Sequence, residues 1–249
     1  MNVSMDVTIL RILKFPGGVI VIPKYQRIET VGCKTNYIEE PFVNLEEYSG
    51  GKIIVDMHYF FNDYPGSTHI AYVRKTVADM LMKVADSLPN GMKLKVWDAW
   101  RSLITQKAIY DKLYEDIKMA ERYLTEVEAH VLTQKYVSYP SANGFIHGTG
   151  GAIDVTLVDK NGNDVNMGTA FDEFTHRAQT DYYEDRYNVR VFFNRRMLYS
   201  AMIAAGFVNN PEEWWHYDYG DAIWSAITGE PIKYRSIPNI QSLNTEEAP

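Results

Sequence analysis

The chain has 249 residues, 46% of them hydrophobic and 13% aromatic, enough to bury one sizeable core in a single elaborated domain. A formal net charge of −7 with no run of Lys and Arg excludes a basic stripe for nucleic acid, and no apolar run approaches the length of a membrane span. The lone cysteine, Cys33, excludes an internal disulfide scaffold; with no basic-then-apolar leader at Met1 to Asp6, the cytoplasm is the expected location, although a chain trimmed of an export signal would read the same.

In chain order, the first forty residues contain strand-like pieces such as Gly18-Val19-Ile20-Val21-Ile22 and read as an extension packed on the domain. Lys52 to Tyr59 looks like a strand, followed by the loop Asn62-Asp63-Tyr64-Pro65-Gly66. Val73, Val77, Met80, Leu81, Val84 and Leu88 recur at helical spacing until Pro89-Asn90-Gly91 ends the pattern. Leu94 to Trp97 reads as a strand, and Ser102 to about Tyr136 as two charged helices or one with a break. Ala152 to Val158 is a strand with apolar residues on both faces, closed by the turn signal Asn161-Gly162. Arg196, Met197, Leu198, Ala201, Met202 and Ala205 mark a further helix that stops at Gly206, and the tail Asn244 to Pro249 is polar and expected to be loose.

Two segments carry metal-ligating residue types. The first is His147-Gly148-Thr149-Gly150-Gly151-Ala152-Ile153-Asp154, the second Glu213-Trp214-Trp215-His216. Two imidazoles and one carboxylate suit a catalytic zinc, which takes three protein ligands and keeps a position open for water. Zinc lowers the pKa of bound water from about 15.7 to about 7. The spare carboxylate, Glu213, is then available as the base that takes the water proton and passes it to a leaving amine. Asp154 lies in a β-branched run, where a buried carboxylate needs a partner. Gly148, Gly150 and Gly151 permit a close backbone approach just before that strand. In a regular strand Glu213 and His216 would point to opposite faces, so one site can use both only if the chain bends between them or the strand begins after Glu213. Pro211 favours such an irregular entry, with Glu213 at the strand's mouth and His216 inside it.

The pattern H-x-x-G-x-A-x-D followed about sixty residues later by E-W-W-H-Y resembles the D-alanyl-D-alanine dipeptidases, zinc D,D-peptidases of peptidase family M15 related to the D-alanyl-D-alanine carboxypeptidases. The resemblance extends to Asp98-Ala99-Trp100-Arg101, to Met167-Gly168-Thr169-Ala170-Phe171-Asp172 and to Trp215-His216-Tyr217-Asp218-Tyr219-Gly220-Asp221, over roughly residues 40 to 235. It implies one Zn2+ bound by His147, Asp154 and His216, Glu213 as catalytic base, and Arg101 as the arginine that stabilises the tetrahedral intermediate. It also implies a small peptide substrate, D-alanyl-D-alanine first. The expected fold is α+β, a single catalytic domain over residues 41–235 with helices packed on a mostly antiparallel sheet, between the extension 1–40 and the tail 236–249. Two positions depart from the pattern. Phe145 stands where the family usually has Ser, and Thr149 where it commonly has a basic residue; the first bears on substrate selectivity more than on zinc. The alternatives are a murein peptidase acting on longer cell-wall peptides, which an open cleft would favour, and a non-catalytic binding module, which the presence of both Glu213 and Arg101 opposes.

Other residues have plainer readings. His58, His69, His130 and His176 read as structural or surface histidines, Asp56 as a loop carboxylate, and Asp172 equally as a helix cap or a carboxylate behind the site. Trp214 and Trp215 read as core or pocket wall. Tyr59, Tyr64 and Phe145 fit a pocket lining or core packing equally well.

Overall fold

A computed structural model describes residues 20–89, 91–141, 145–186 and 188–240. Its centre is a five-stranded sheet built from Ile54–Val55 (β2), Lys93–Asp98 (β4), Ile153–Val158 (β5), Val208–Asn209 (β6) and His216–Asp218 (β7) in the order β2-β4-β5-β7-β6. The β2–β4 pair is parallel and the other three pairs are antiparallel. A separate antiparallel pair joins Phe42–Asn44 (β1) to Tyr72–Arg74 (β3). Seven α-helices complete the described residues: Leu45–Ser49 (α1), His58–Phe61 (α2), Lys75–Ser87 (α3), Leu103–Ala120 (α4), Glu126–Thr133 (α5), Val189–Ala205 (α6) and Ala222–Thr228 (α7). The arrangement is α+β with a mostly antiparallel sheet. Among the described residues no helix is long and apolar enough to cross a membrane.

The middle strand explains the layering. All six residues of β5 are buried, and successive side chains leave a strand on opposite faces. Ile153, Val155 and Leu157 enter the main core with Leu94 and Val96 of β4, Val77, Leu81 and Val84 of α3, and Leu198, Ala201 and Met202 of α6. Asp154 therefore lands on the other face. That face is covered through a smaller cluster of Tyr59, Ile109, Tyr110 and Val137, which ties α2, α4 and the chain after α5 together.

Several elements differ from the sequence expectation, each for a local reason. The apolar run Lys52 to Tyr59 is a strand only at Ile54–Val55, because its ladder has just two paired positions before β4 changes register beyond Val96. The chain then turns into α2. Val73 falls at helical spacing yet belongs to β3, where it pairs with Val43, and the helix starts at Lys75. Residues 102–136 form two helices, the second opened by a capping box between Thr125 and Glu128. Helix α6 starts seven residues before Arg196, at Val189, with Asn188 accepting from the Val191 N–H at its cap. Its first turns include the half-buried Phe192 and Phe193 beside the buried Val191, so no one-sided apolar stripe announces them.

Gly18 and Val19 of the expected N-terminal strand lie outside the described residues, and Ile20 to Ile22 are irregular. Ile22 enters the main core and the Ile20 N–H donates to Ser200 Oγ. The following segment crosses the domain. Tyr25 is tied to Asp181 and Glu212, and Asn36 donates to the Ile232 carbonyl. The tail Asn244 to Pro249 lies outside the described residues.

Candidate metal centre and active site

Sheet register assembles the site. Asp98, Asp154 and His216 occupy directly paired positions on β4, β5 and β7, so they form a row across three adjacent strands. Asp98 joins that row only because the β4–β5 ladder shifts between Val96 and Asp98, leaving Trp97 as the extra residue. Without the bulge Asp98 would share the core face of Val96; with it, the carboxylate turns toward Asp154. His216 opens β7 after a tight turn in which its N–H donates to the Glu213 carbonyl at 3.2 Å. The bend expected between Glu213 and His216 is this turn, and the strand does begin after Glu213.

His147 arrives from a different element, a short 3-10 turn over Ile146–Thr149. Gly150 ends that turn at φ +69°, and a Cβ there would lie 2.2 Å from the Phe42 ring; at Gly151 a Cβ would lie 2.2 Å from the Tyr219 carbonyl. The glycines thus let this loop lie flat against its neighbours. The Thr149 hydroxyl is used inside the loop, donating to Ile146 O and accepting from Gly151 N–H.

The three ligand-type atoms converge. His147 Nε2 lies 3.2 Å from His216 Nδ1 and 3.4 Å from Asp154 Oδ2, and His216 Nδ1 lies 3.0 Å from Asp154 Oδ1. Tetrahedral ligands at zinc bond lengths of about 2.0 to 2.1 Å are separated by roughly 3.3 Å; each contact is of that size, with the two imidazoles meeting different oxygens of Asp154. Outer partners set the tautomers. His147 Nδ1 donates to the Ala99 carbonyl at 2.8 Å, leaving the Nε2 lone pair directed inward. His216 Nε2 donates to Asp218 Oδ1 at 2.8 Å, leaving Nδ1 for the same point. This is the imidazole-to-acceptor arrangement that orients histidines at metal sites.

Electrostatics agree with the geometry. Burial, helped by Arg101, holds His147 well below the usual histidine range, so it is neutral with a free lone pair. Burial alone would raise Asp154, but the hydrogen bond from His216 and the charges of His216 and Arg101 hold it below the usual carboxylate range. Burial would lower His216, yet Asp218 and Asp154 push it well above the usual range. A metal ion bound at its Nδ1 would have to displace a proton.

Glu213 and Arg101 flank this cluster. The Glu213 carboxyl lies 3.8 Å from His216 Nδ1, beyond the donor spacings, and burial pushes it up to about 8. Arg101 lies between β4 and the Ser102 cap of α4. Its Nε donates to Asp98 Oδ2 and its Nη1 to Gln106 Oε1, both at 2.8 Å, while Nη2 lies 3.4 Å from Asp154 Oδ2 and 3.5 Å from the Tyr59 hydroxyl. The guanidinium also rests on the Tyr59 ring, 4.7 Å from its centroid.

All of these side chains except Asp98 line one inner cavity of about 90 Å³, with Asp172, Trp215 and Phe174. An outer cleft of about 710 Å³ shares Glu213, Trp215, Tyr136, Phe174 and Asn210 with it and is walled on one side by Tyr25, Arg27, Ile28, Thr30 and Tyr37. Asp172 is no helix cap: at φ +55° it sits in a turn and accepts the Tyr59 hydroxyl at 2.8 Å. Its carboxyl is raised to about 7 by burial. Phe145 does not reach the inner cavity. Its buried ring packs where a Cβ on Gly148 would be, and it lines the outer cleft only. Trp214 is core and Trp215 is both core and cavity wall; His176 lines the outer cleft, whereas His58, His69, His130, Asp56 and Tyr64 line neither.

Sequence reasoning gave no role to Gln106, which holds Arg101 and donates to the Ser138 carbonyl. It likewise missed the roles of Asp98 and Asp218. Asp218 had a signal, since a residue two places after a strand histidine shares its face. Asp98 stood in a motif of the resembled family, but nothing signalled which way it faces, because the bulge that turns it is a property of the ladder.

Comparison with known proteins bears on the whole arrangement. Residues 63–236 match the family model described as D-ala-D-ala dipeptidase. The chain is 30% identical over 172 residues to the D-alanyl-D-alanine dipeptidase of Synechocystis sp., covering 61% of this chain and 69% of that one. With the D-alanyl-D-alanine dipeptidase of Escherichia coli it shares 29% identity over 133 residues, 53% of this chain and 58% of that relative, so this match spans less than two thirds of the relative's length. Among solved structures, VanYB in complex with D-Alanine-D-Alanine aligns with 73% of this chain and 87% of that one, at 17% identity and a TM-score of 0.41. A vancomycin resistance D,D-pentapeptidase VanY in complex with Zn(II) aligns with 69% and 89%, at 16% identity and the same TM-score of 0.41.

Proposed function

This chain belongs to the D-alanyl-D-alanine dipeptidase family of metallopeptidases, and from that premise we propose that it hydrolyses the peptide bond of D-alanyl-D-alanine or a similar small D-amino-acid dipeptide. In this reading one zinc ion is held by His147, Asp154 and His216. The observation that carries it is the convergence of two imidazole nitrogens, 3.2 Å apart, on the Asp154 carboxylate, which meets them through different oxygens at 3.4 and 3.0 Å, beside a carboxyl that is not one of the set. A zinc ion held there would supply Lewis acidity and a water acidic enough to deprotonate near neutral pH.

The protein's own groups do the rest. Glu213, made more basic by burial, accepts the water proton and returns it to the departing amine. The charges of His216 and Arg101 oppose the effect of burial and favour its ionised form. Arg101 is fixed by Asp98, Gln106 and Tyr59 before substrate arrives, so its charge faces the developing oxyanion without reorganisation. Asp172, with one oxygen accepting from Tyr59, offers the inner cavity a carboxyl for a substrate ammonium group.

Release of free D-alanine from D,D- and L,D-peptides, with and without chelator, tests this reading. Chelator-sensitive release from D-alanyl-D-alanine is expected; no release from any peptide at full zinc loading would refute it. A second reading, hydrolysis of longer cell-wall peptides, is favoured by the outer cleft that adjoins the inner cavity. Higher kcat/KM for a tripeptide or pentapeptide than for the dipeptide would establish that reading instead.

A further inference from the structure

Arg195 of α6 is buried, yet among the described residues none of its nitrogens meets a carboxylate. Its Nε donates to the Met167 carbonyl at 2.8 Å, Nη1 to the Gln179 carbonyl at 2.6 Å and Nη2 to the Arg177 carbonyl at 2.9 Å. A buried charge without a counter-ion is costly. Three carbonyl dipoles offset that cost, together with the rings of Tyr183 and Trp214, whose centroids lie 4.7 and 5.7 Å from the guanidinium carbon. Burial lowers the guanidinium only to about 10, so it stays charged at neutral pH. Neither proton transfer nor metal binding uses this cation.

The three acceptors belong to the two stems of one loop. Met167 precedes residues 168–176 and Arg177 and Gln179 follow them, so one guanidinium clamps both ends of the loop to a long helix. The loop brings Asp172 and Phe174 to the wall of the inner cavity. Asp172 holds left-handed backbone at φ +55°, which a non-glycine residue keeps only where its surroundings impose it. The exit stem has its own ties to the turn that carries Glu213: Trp214 N–H donates to the Ala178 carbonyl and Thr180 N–H to the Pro211 carbonyl, both at 3.0 Å. On the entry side, Trp214 Nε1–H donates to Thr169 Oγ1 at 2.7 Å and the exposed Arg177 donates to the Gly168 carbonyl at 2.8 Å.

We propose that Arg195 is a positioning residue for substrate binding, whose planar guanidinium spaces the two stems so that the loop presents the Asp172 carboxyl to a substrate ammonium group in the inner cavity. The fork fixes three acceptors around one plane, whereas a lysine ammonium is a single point on a flexible stem and cannot. Because the exit stem keeps its own bonds to the Glu213 turn, loss of the fork displaces the substrate's anchor more than the base. The inference rests on the reading of Asp172 as the acceptor for that ammonium group.

Steady-state kinetics on D-alanyl-D-alanine test it in a double-mutant cycle. Arg195→Lys should raise KM about 10- to 100-fold, the loss of a hydrogen bond between charged groups, while kcat stays within about threefold and zinc content matches the parent. In the Asp172→Asn background the same change should raise KM by less than about threefold further, since the contact it aligns is already gone. A merely structural role would instead lower kcat through a smaller folded fraction, equally in both backgrounds. Unchanged KM in the Lys variant, or equal KM increases in the two backgrounds, would overturn the proposal. If the Lys protein does not fold, Arg195→Gln, which keeps a donor without a buried charge, takes its place in the cycle. Failure of both to fold overturns the proposal, because the residue would then serve the fold as a whole. Asp172→Asn alone reports on the premise: a parent-like KM there would refute the ammonium reading whatever the Arg195 variants do.

Discussion

Replacing Glu213 with Gln separates proton transfer from metal binding in a side chain of nearly unchanged shape. The backbone of residue 213 holds the turn into β7, donating to Asn210 O and accepting from His216 N–H and Asn209 Nδ2. The substitution leaves those bonds and the three donor atoms alone, so zinc should remain near one equivalent while kcat falls about 10²- to 10⁴-fold, the range for loss of a general base. The same change has a stability consequence with a definite sign. Burial raises the Glu213 carboxyl from its ordinary 4.5 to about 8. A group whose folded value lies above its unfolded value takes up a proton on folding; its stabilisation is intact below pH 4.5 and is lost as pH rises toward about 8. At roughly 1.4 kcal/mol per pH unit, that interval corresponds to at most about 4 to 5 kcal/mol, and less because the side chain is 18% exposed. The chelator-treated Gln protein should therefore be more stable than the chelator-treated parent at pH 8, by up to a few kcal/mol, and nearly equal to it at pH 4.5. Urea denaturation at the two pH values measures this. A difference that does not change with pH would refute the burial argument, and loss of zinc from the Gln variant would refute the assignment of Glu213 as base rather than ligand.

Zinc affinity should climb about tenfold per pH unit through neutrality, because Asp218 and Asp154 overcome burial to hold a proton on His216 that the ion must displace; a flat profile in the chelator competition would contradict this. Arg101→Lys should lower kcat by about 10²- to 10³-fold with a smaller change in KM, since one ammonium cannot bond Asp98 and Gln106 as the fork does. Steady-state kinetics that leave kcat unchanged would remove Arg101 from the reaction. Phe145→Ser should cost about 3–5 kcal/mol in thermal or chemical denaturation, because the ring is buried against Gly148. It should alter kcat/KM for peptides long enough to enter the outer cleft and leave D-alanyl-D-alanine unaffected, and the opposite pattern would place the ring in the inner cavity.

How much of the site could be read in advance depended on what kind of information each residue needed. His147, Asp154 and His216 were legible because their residue types, together with a buried-strand setting for Asp154, called for a shared partner. The helix ending at Gly206 and the strand Ile153–Val158 were legible for similar reasons, since hydrophobic periodicity and a left-handed glycine cap are local properties. The short strand at Ile54–Val55 was not, because its length is set by where β4 changes register. Phe145 could equally have faced substrate or core, and only the close approach of Gly148 determines that it packs beside the loop.

By itself the sequence determined the residue types able to ligate a metal and, through its motifs' resemblance to a family, the α+β class. Residue types and short motifs are local properties that suffice for those. Tertiary structure alone decided that Asp98, Asp154 and His216 stand in one row and that Gln106 and Asp98 immobilise Arg101. Such relations depend on strand register and on one β-bulge, and a displacement of one residue in a strand sends every side chain to the opposite face. No pattern within a single segment records which residue of another strand will lie beside it.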